Sequence, residues 1–215
     1  MSRDKIENNI RENFEDFFIA AFHQTHRDTP LEFAPYLEYI CARFQRLKPG
    51  ARVVINLPAR SLKSWTTKFY IAWFLGRRPT AEIIILSNTQ RLAEMIAYDL
   101  REILRASWDR RIFPDVKISA DRAGVGHFKT TAGGAVFASS VESTVAGFGA
   151  DLLILDDPNK PDDADNSEKL SAINRKFDGE IYSRLNDKLK AIVVVVQHRI
   201  DAMFVLDQTH SHTHR

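Results

Sequence analysis

Val53-Val54-Ile55-Asn56-Leu57-Pro58-Ala59-Arg60-Ser61-Leu62-Lys63-Ser64 is a β-branched run that breaks at a proline and gives way to an amphipathic stretch reaching Leu75. The first five residues read as a strand, Ser64 to Leu75 as a helix, and the seven residues from Pro58 to Ser64 as the loop and helix start between them. A loop that enters a helix presents unpaired backbone N–H groups and the positive end of the helix dipole, and both attract phosphate oxygens. Lys63 is placed to reach terminal phosphates as a cation, and the Ser64 hydroxyl to join the shell of a Mg²⁺ ion. The general phosphate-loop pattern has glycine immediately before the lysine, where a permissive backbone or a close approach to phosphate is needed. Here that residue is Leu62, so the pattern alone leaves a second reading open: a basic helix start exposed to solvent.

Outward from this loop the chain alternates short apolar runs with longer amphipathic ones. Ile83-Ile84-Ile85-Leu86 reads as a strand and Gln90 to Ala106 as a helix, then Asp151-Leu152-Leu153-Ile154-Leu155 as a strand, about Ser167 to Leu185 as a helix, and Ala191 to Val196 as a strand. Such alternation predicts an α/β fold with a mainly parallel sheet and helices on both faces, which a phosphate-type loop after the first strand would make P-loop NTPase-like. The middle third, Phe113 to Ser140, carries β-prone pieces at Gly126–Thr130 and Ala135–Ala138 and reads as a hairpin-like excursion. Ahead of the loop, apolar clusters at Phe14–Phe22 and Tyr36–Leu47 recur at helical spacing around the turn-prone Arg27-Asp28-Thr29-Pro30, and Lys48-Pro49-Gly50 ends them. The expected organisation is an N-terminal helical segment over 1–50, a P-loop ATPase domain over 51–208 and a disordered tail over 209–215.

Composition sets wide bounds. The chain has 215 residues, 44% hydrophobic and 27% charged, enough for one substantial core, and its formal charge of +2 is compatible with a polyanionic partner without demanding one. The single cysteine, Cys41, excludes an intrachain disulfide and fits a reducing cytoplasm. No stretch approaches the roughly 20 apolar residues of a membrane span, and Met1–Asn13 lacks the apolar core of a signal peptide. His23, His26 and the terminal histidines have no carboxylate or cysteine at metal-ligand spacing and read as surface residues. Arg105, Arg110, Arg111 and Lys117 are compatible either with a DNA backbone or with a solvated face.

The second informative stretch is Leu152-Leu153-Ile154-Leu155-Asp156-Asp157, an apolar run ending in two carboxylates, as expected of a buried parallel strand delivering acids to the carboxyl edge of its sheet. Asp156 is the candidate magnesium acid and Asp157 the candidate general base that orients an attacking water. The bland alternative is a strand leaving the core into a turn closed by Pro158. A phosphate loop after an early strand and an acidic end on a later one are, together, the two halves of one ATP site.

These residues resemble the ATPase region of phage terminase large subunits, especially those of prophages and gene-transfer particles, over about Phe33 to Val196. Members show Pro-Pro-Arg-Ser-Leu-Lys-Ser, which Pro58-Ala59-Arg60-Ser61-Leu62-Lys63-Ser64 matches except at Ala59, so the leucine belongs to the pattern. Further matches follow in order: Ala72–Gly76 with Pro79; Ile85–Gln90 with Leu92-Ala93; Thr130 and Gly133-Gly134; Gly147, Gly149-Ala150-Asp151 and Asp156-Asp157-Pro158; Lys160-Pro161 and Asp163-Ala164; and Ser183-Arg184-Leu185 before the strand ending at Gln197. The resemblance implies an ATP hydrolase using Mg²⁺ that drives double-stranded DNA into a procapsid. It would work as a homo-oligomeric ring on the portal protein, with the terminase small subunit, in the cytoplasm of a bacterial host. It implies ATP contacts from Arg60, Ser61, Leu62, Lys63 and Ser64, with Arg60 stabilising the γ-phosphate through its planar guanidinium. Ser64 and Asp156 would hold the metal, with Asp157, Arg60 and Lys63 catalytic. Gln197 would couple phosphate state to movement, and Tyr36 would lie near the adenine base, although a core aromatic on a helix is an equal reading for Tyr36.

The match fails in two places. Members read Gly-Arg-Gly before the acidic strand where this chain has Gly147-Phe148-Gly149, and they continue past the glutamine with Arg-Leu-His where this chain has His198-Arg199-Ile200. The stretch after Ile200 is too short for an RNase H-like nuclease, so no cutting activity is expected of this chain. Two other readings stay open: a prophage remnant that folds without turnover, and a different DNA-linked P-loop ATPase.

Overall fold

The structure, a computed structural model, describes residues 2–159 and 167–198, excepting the side chains at 121–123, 167, 169 and 170. In chain order the elements are α1 (Arg3–Glu12), α2 (Phe14–Thr25), α3 (Pro35–Gln45), β1 (Arg52–Asn56), α4 (Lys63–Arg77), β2 (Glu82–Ser87), α5 (Gln90–Arg105), α6 (Ser107–Ile112), β3 (Ile118–Ala123), β4 (His127–Thr130), β5 (Ala135–Ser140), β6 (Leu152–Asp156), α7 (Ser167–Lys176) and β7 (Ile192–Gln197). The fold is mixed α/β, and among the described residues the strands form one sheet in the order β1-β7-β6-β2-β5-β4-β3. The elements group into two compact units interleaved in sequence. One comprises the described residues to Leu47 with Ser64–Ala81 and Met95–Val136; the other comprises Lys48–Lys63, Glu82–Glu94 and the described residues from Phe137.

The second unit holds the parallel strands β1, β7, β6 and β2. Their registers run Asn56↔Gln197, Asp156↔Val196 and Ser87↔Asp156 at the carboxyl ends, so these residues form one row along a single sheet edge. Strands β6 and β7 are buried at every position, as the uninterrupted apolar runs of a sheet covered on both faces require. Strand β1 is only half-buried and closes the sheet on one side. Beside it the Arg52 guanidinium donates to the carbonyls of Gly50, Ala51, Lys188 and Ala191, tying the start of β1 to the turn that leads into β7. The core here joins Ile84, Leu86, Leu153, Leu155, Val193 and Val195 to Phe177, Ile181 and Leu185.

The chain from Ser167 to Leu185 is not the continuous helix its periodicity predicts. Helix α7 stops at Lys176, a π-helical turn covers Phe177–Ile181 and a 3₁₀ turn Tyr182–Arg184. Phe177, Ile181 and Leu185 all enter the core, and a repeat of four is wider than the 3.6 residues of an α-turn. The wider π turn keeps the apolar residues on one line, with Gly179 weakening the helix at its centre.

The first unit is built on aromatic helix packing. Phe14, fully buried, meets Phe44 at 5.8 Å, Tyr70 at 5.4 Å and Trp73 at 5.6 Å between ring centroids. The Asn13 carboxamide oxygen caps α2 by accepting from the N–H groups of Glu15 and Asp16. Gln45 closes the junction of α2 and α3, accepting from the Phe14 N–H at 2.7 Å and donating to the Glu12 carbonyl at 3.0 Å. Of the expected excursion, the two β-prone pieces appear as β4 and β5, neighbours in the sheet, while β3, which pairs antiparallel to β4 with a shift of register, was unforeseen. Helix α6 was also unforeseen; it buries Trp108 and Ile112 four residues apart.

Candidate functional site

The loop after β1 folds by placing two side-chain-bearing residues in the left-handed region, Arg60 at φ 61° and Leu62 at φ 57°. Left-handed residues between right-handed or extended ones turn successive N–H groups toward one concavity, which suits an anion. The Ser61 hydroxyl donates to the Pro58 carbonyl at 2.7 Å, bracing the loop from inside, and Ser61 is 5% exposed. Lys63 is the first residue of α4 and is buried, while Ser64 lies in the same first turn, half-buried. The Arg60 side chain is exposed.

The acids at the end of β6 take different environments. Asp156 is 3% exposed at the last strand position. Asp157 turns out of the strand with φ 46°, and its main chain is held by its own N–H to the Val196 carbonyl at 2.8 Å. Its carbonyl accepts from the Asn88 N–H at 3.2 Å and from the Asn88 Nδ2 at 2.8 Å. The Lys63 ammonium donates to both Asp157 carboxylate oxygens, at 2.6 and 2.5 Å, and the His198 N–H donates to Oδ1 at 3.0 Å. A lysine from the loop and an acid from β6, 94 positions apart, therefore meet as a charge-assisted pair with both groups largely shielded from water.

Strand order explains the rest of this edge. Because β7 lies between β1 and β6, its last residues fall between the loop entrance and the acids. Gln197, 4% exposed, donates through Nε2 to the Asn56 Oδ1 at 2.8 Å, and its carbonyl accepts from the Leu57 N–H at 3.0 Å. Among the described residues, the Ser87 hydroxyl and the Asn159 Oδ1 at the same edge are buried without a hydrogen-bond partner, a pattern common where water or a ligand belongs. The structure thus gathers Lys63, Asp156, Asp157 and Gln197 of the expected residues and adds Asn56, Ser87, Asn88 and His198. Asn88 had a signal, its place in Ser87-Asn88-Thr89-Gln90; its neighbour Gln90 accepts from the Ser139 hydroxyl at 3.0 Å and the Ser140 N–H at 3.2 Å. Ser87 shared that signal, while Asn56 and His198 had none beyond lying at strand ends.

Tyr36 is in the first turn of α3, in the other unit, and 39% exposed. Phe148, where the resemblance has arginine, stacks on Phe137 with centroids 3.8 Å apart and packs against the core. A Cβ at its neighbour Gly149 would lie 2.0 Å from the Asn186 Oδ1 and 2.8 Å from a Glu82 carboxylate oxygen, so a larger residue there would displace these side chains. His26 is not a simple surface residue: its ring stacks on Phe22 at 4.4 Å and meets Trp65 edge-on at 4.5 Å. The matched residues Lys160, Pro161, Asp163 and Ala164, together with Arg199, Ile200 and the 209–215 tail, lie outside the described residues.

Hard oxygen donors suit Mg²⁺, and the Asp156 carboxylate and Ser64 hydroxyl are of that kind. The concave loop ahead of α4, with Lys63 at its end, suits phosphate. No helix among the described residues is long and apolar enough to cross a membrane.

No protein-family profile and no curated protein matches the chain. Among solved structures it is similar to a large terminase ATPase domain mutant of Thermus phage P74-26, with a TM-score of 0.55 and 14% identity over 82% of this chain and 74% of that one. It is also similar to the HK97 bacteriophage large terminase, with a TM-score of 0.52 and 14% identity over 86% of this chain, which spans 38% of that one. The chain shares the fold of phage large-terminase ATPase domains.

Proposed function

We propose that the chain is an ATPase that hydrolyses ATP with Mg²⁺, and that it acts as the motor of a terminase large subunit moving double-stranded DNA into a procapsid. The observation that carries this reading is the Lys63–Asp157 pair, which brings the end of the phosphate-type loop to the acidic end of β6. In the ATP-bound site Lys63 leaves Asp157 for the terminal phosphates, and Arg60, exposed on the loop, extends its guanidinium to the γ-phosphate. Ser64 and Asp156 hold Mg²⁺, whose charge neutralises phosphate oxygens when bound. Asp157, freed of the ammonium, orients the attacking water, and catalysis is chiefly positioning and electrostatics. Gln197 is a coupling candidate through its link to Asn56 at the loop entrance, and Tyr36 an adenine contact. Portal protein, a terminase small subunit and further copies of the chain in a ring are the proposed partners, in the bacterial cytoplasm.

The test is steady-state ATP hydrolysis with Mg²⁺, with and without double-stranded DNA, for the parent, Lys63→Ala and Asp157→Asn. Both variants are expected to lose at least about a hundredfold in turnover, since each removes a group acting on the transferring phosphoryl. DNA is expected to stimulate the parent. One observation favours a second reading, a folded remnant without turnover: Phe148 packs an aromatic ring against the core where the resemblance has a cation. Nucleotide binding abolished by Lys63→Ala, with no hydrolysis by the parent alone or with DNA, would select that reading.

A further inference from the structure

Asp157 has two possible cationic neighbours. Lys63 holds both its oxygens, while the His198 Nε2 lies 3.6 Å from Oδ2. That separation is outside hydrogen-bond range, so the ring is a neighbour and not a partner while the ammonium chelates the carboxylate. We infer that His198 is a positioning residue for Asp157: when Lys63 turns to phosphate, the imidazole takes over the carboxylate and keeps it aimed at water. The inference rests on the ATP-site reading above.

The surroundings favour this exchange. The main chain of Asp157 is fixed by Asn88 and Val196, which confines movement to the side chain. The His198 N–H already holds Oδ1 at 3.0 Å, and a shift of less than about 1 Å brings Nε2 within bonding distance of Oδ2. His198 follows directly on β7, so the new bond joins the catalytic acid to the strand whose preceding residue, Gln197, is tied to Asn56 at the loop entrance. The link from the Asp157 carboxylate to the end of β7 runs through His198, at the position where the resemblance to terminases breaks down. Its side chain is 34% exposed, leaving room to reorient.

The experiment is steady-state ATP hydrolysis by the full chain with Mg²⁺ for the parent, His198→Ala and His198→Gln, with thermal melts of all three. His198→Ala is expected to lower kcat by about tenfold, as loss of a group that orients a catalytic one does, with KM changed less than about twofold. His198→Gln, which keeps a side-chain N–H donor, is expected to recover most of the loss. An active parent beside a His198→Ala variant with unchanged kcat overturns the inference and leaves the ATPase reading standing. Equal losses in the Ala and Gln variants that follow their melting temperatures also overturn it, by assigning His198 a structural role. A parent that hydrolyses no ATP overturns the reading on which the inference rests.

Discussion

Leu62 shows at the level of one residue how a departure from a motif is accommodated. Its φ of 57° is the conformation for which the general pattern uses glycine, and a side chain there costs roughly 1–2 kcal/mol. Such strain persists only where the surroundings over-determine it, and here Ser61 bonded to Pro58 and Lys63 bonded to Asp157 hold the loop on either side. Glycine at 62 removes the strain but adds freedom to the unfolded chain, and the two effects oppose each other. Leu62→Gly is therefore expected to change stability by less than about 1 kcal/mol and to retain nucleotide affinity. Leu62→Val, stiffer at the left-handed position, is expected to weaken ATP binding by about tenfold without unfolding the chain. Calorimetric titration with ATP analogues checks both, and equal affinities for the parent and the valine variant would mean that loop curvature does not matter for binding. Lys63 and Asp157 were legible as candidates because charge placed after an apolar run is visible locally. Asn56 and Gln197, bonded across 141 positions, were not legible as a pair, because nothing local records which strand lies beside which.

Elements were legible in proportion to the regularity of their burial. Strands β2, β6 and β7 are nearly continuous apolar runs and appear within a residue or two of their expected limits. Segment 167–185 defeated the periodicity because the core takes residues every four positions and the backbone widens to supply them. In the first unit α2 depends on its aromatic face more than on propensity, since Phe14, Phe17, Phe18, Ala21 and Phe22 are all buried. Phe14→Ala is expected to cost about 3–5 kcal/mol, the range for emptying a buried aromatic site, read as a lower denaturant midpoint with an unchanged slope. A cost below about 1 kcal/mol would show that the neighbouring rings collapse into the space.

For the whole molecule, stability should depend on pH through Asp109. This residue is fully buried on α6, and among the described residues neither carboxylate oxygen has a hydrogen-bond partner. Burial pushes its carboxyl up to about 8 from the ordinary 3.8, with Arg110 opposing in part. Between those values the folded chain keeps a proton that the unfolded chain has lost, so stability falls as pH rises through this window and is flat below it. Asp109→Asn, neutral throughout, is expected to flatten the decline in melting temperature between about pH 5 and pH 8 and to melt higher at the upper end. An unchanged decline in the variant would mean that Asp109 is not the group responsible. By itself the sequence determined the α/β alternation, the loop at the first strand, the acidic end of β6 and the helices ahead of them. Each of these follows from hydrophobic period and turn chemistry over a few consecutive residues. Only the tertiary structure decided that β7 lies between β1 and β6, that Lys63 is held by Asp157, and that His198 rather than Gln197 touches the acid. Strand order is chosen by how crossovers pack the whole core, and that choice sets which distant side chains meet at the sheet edge.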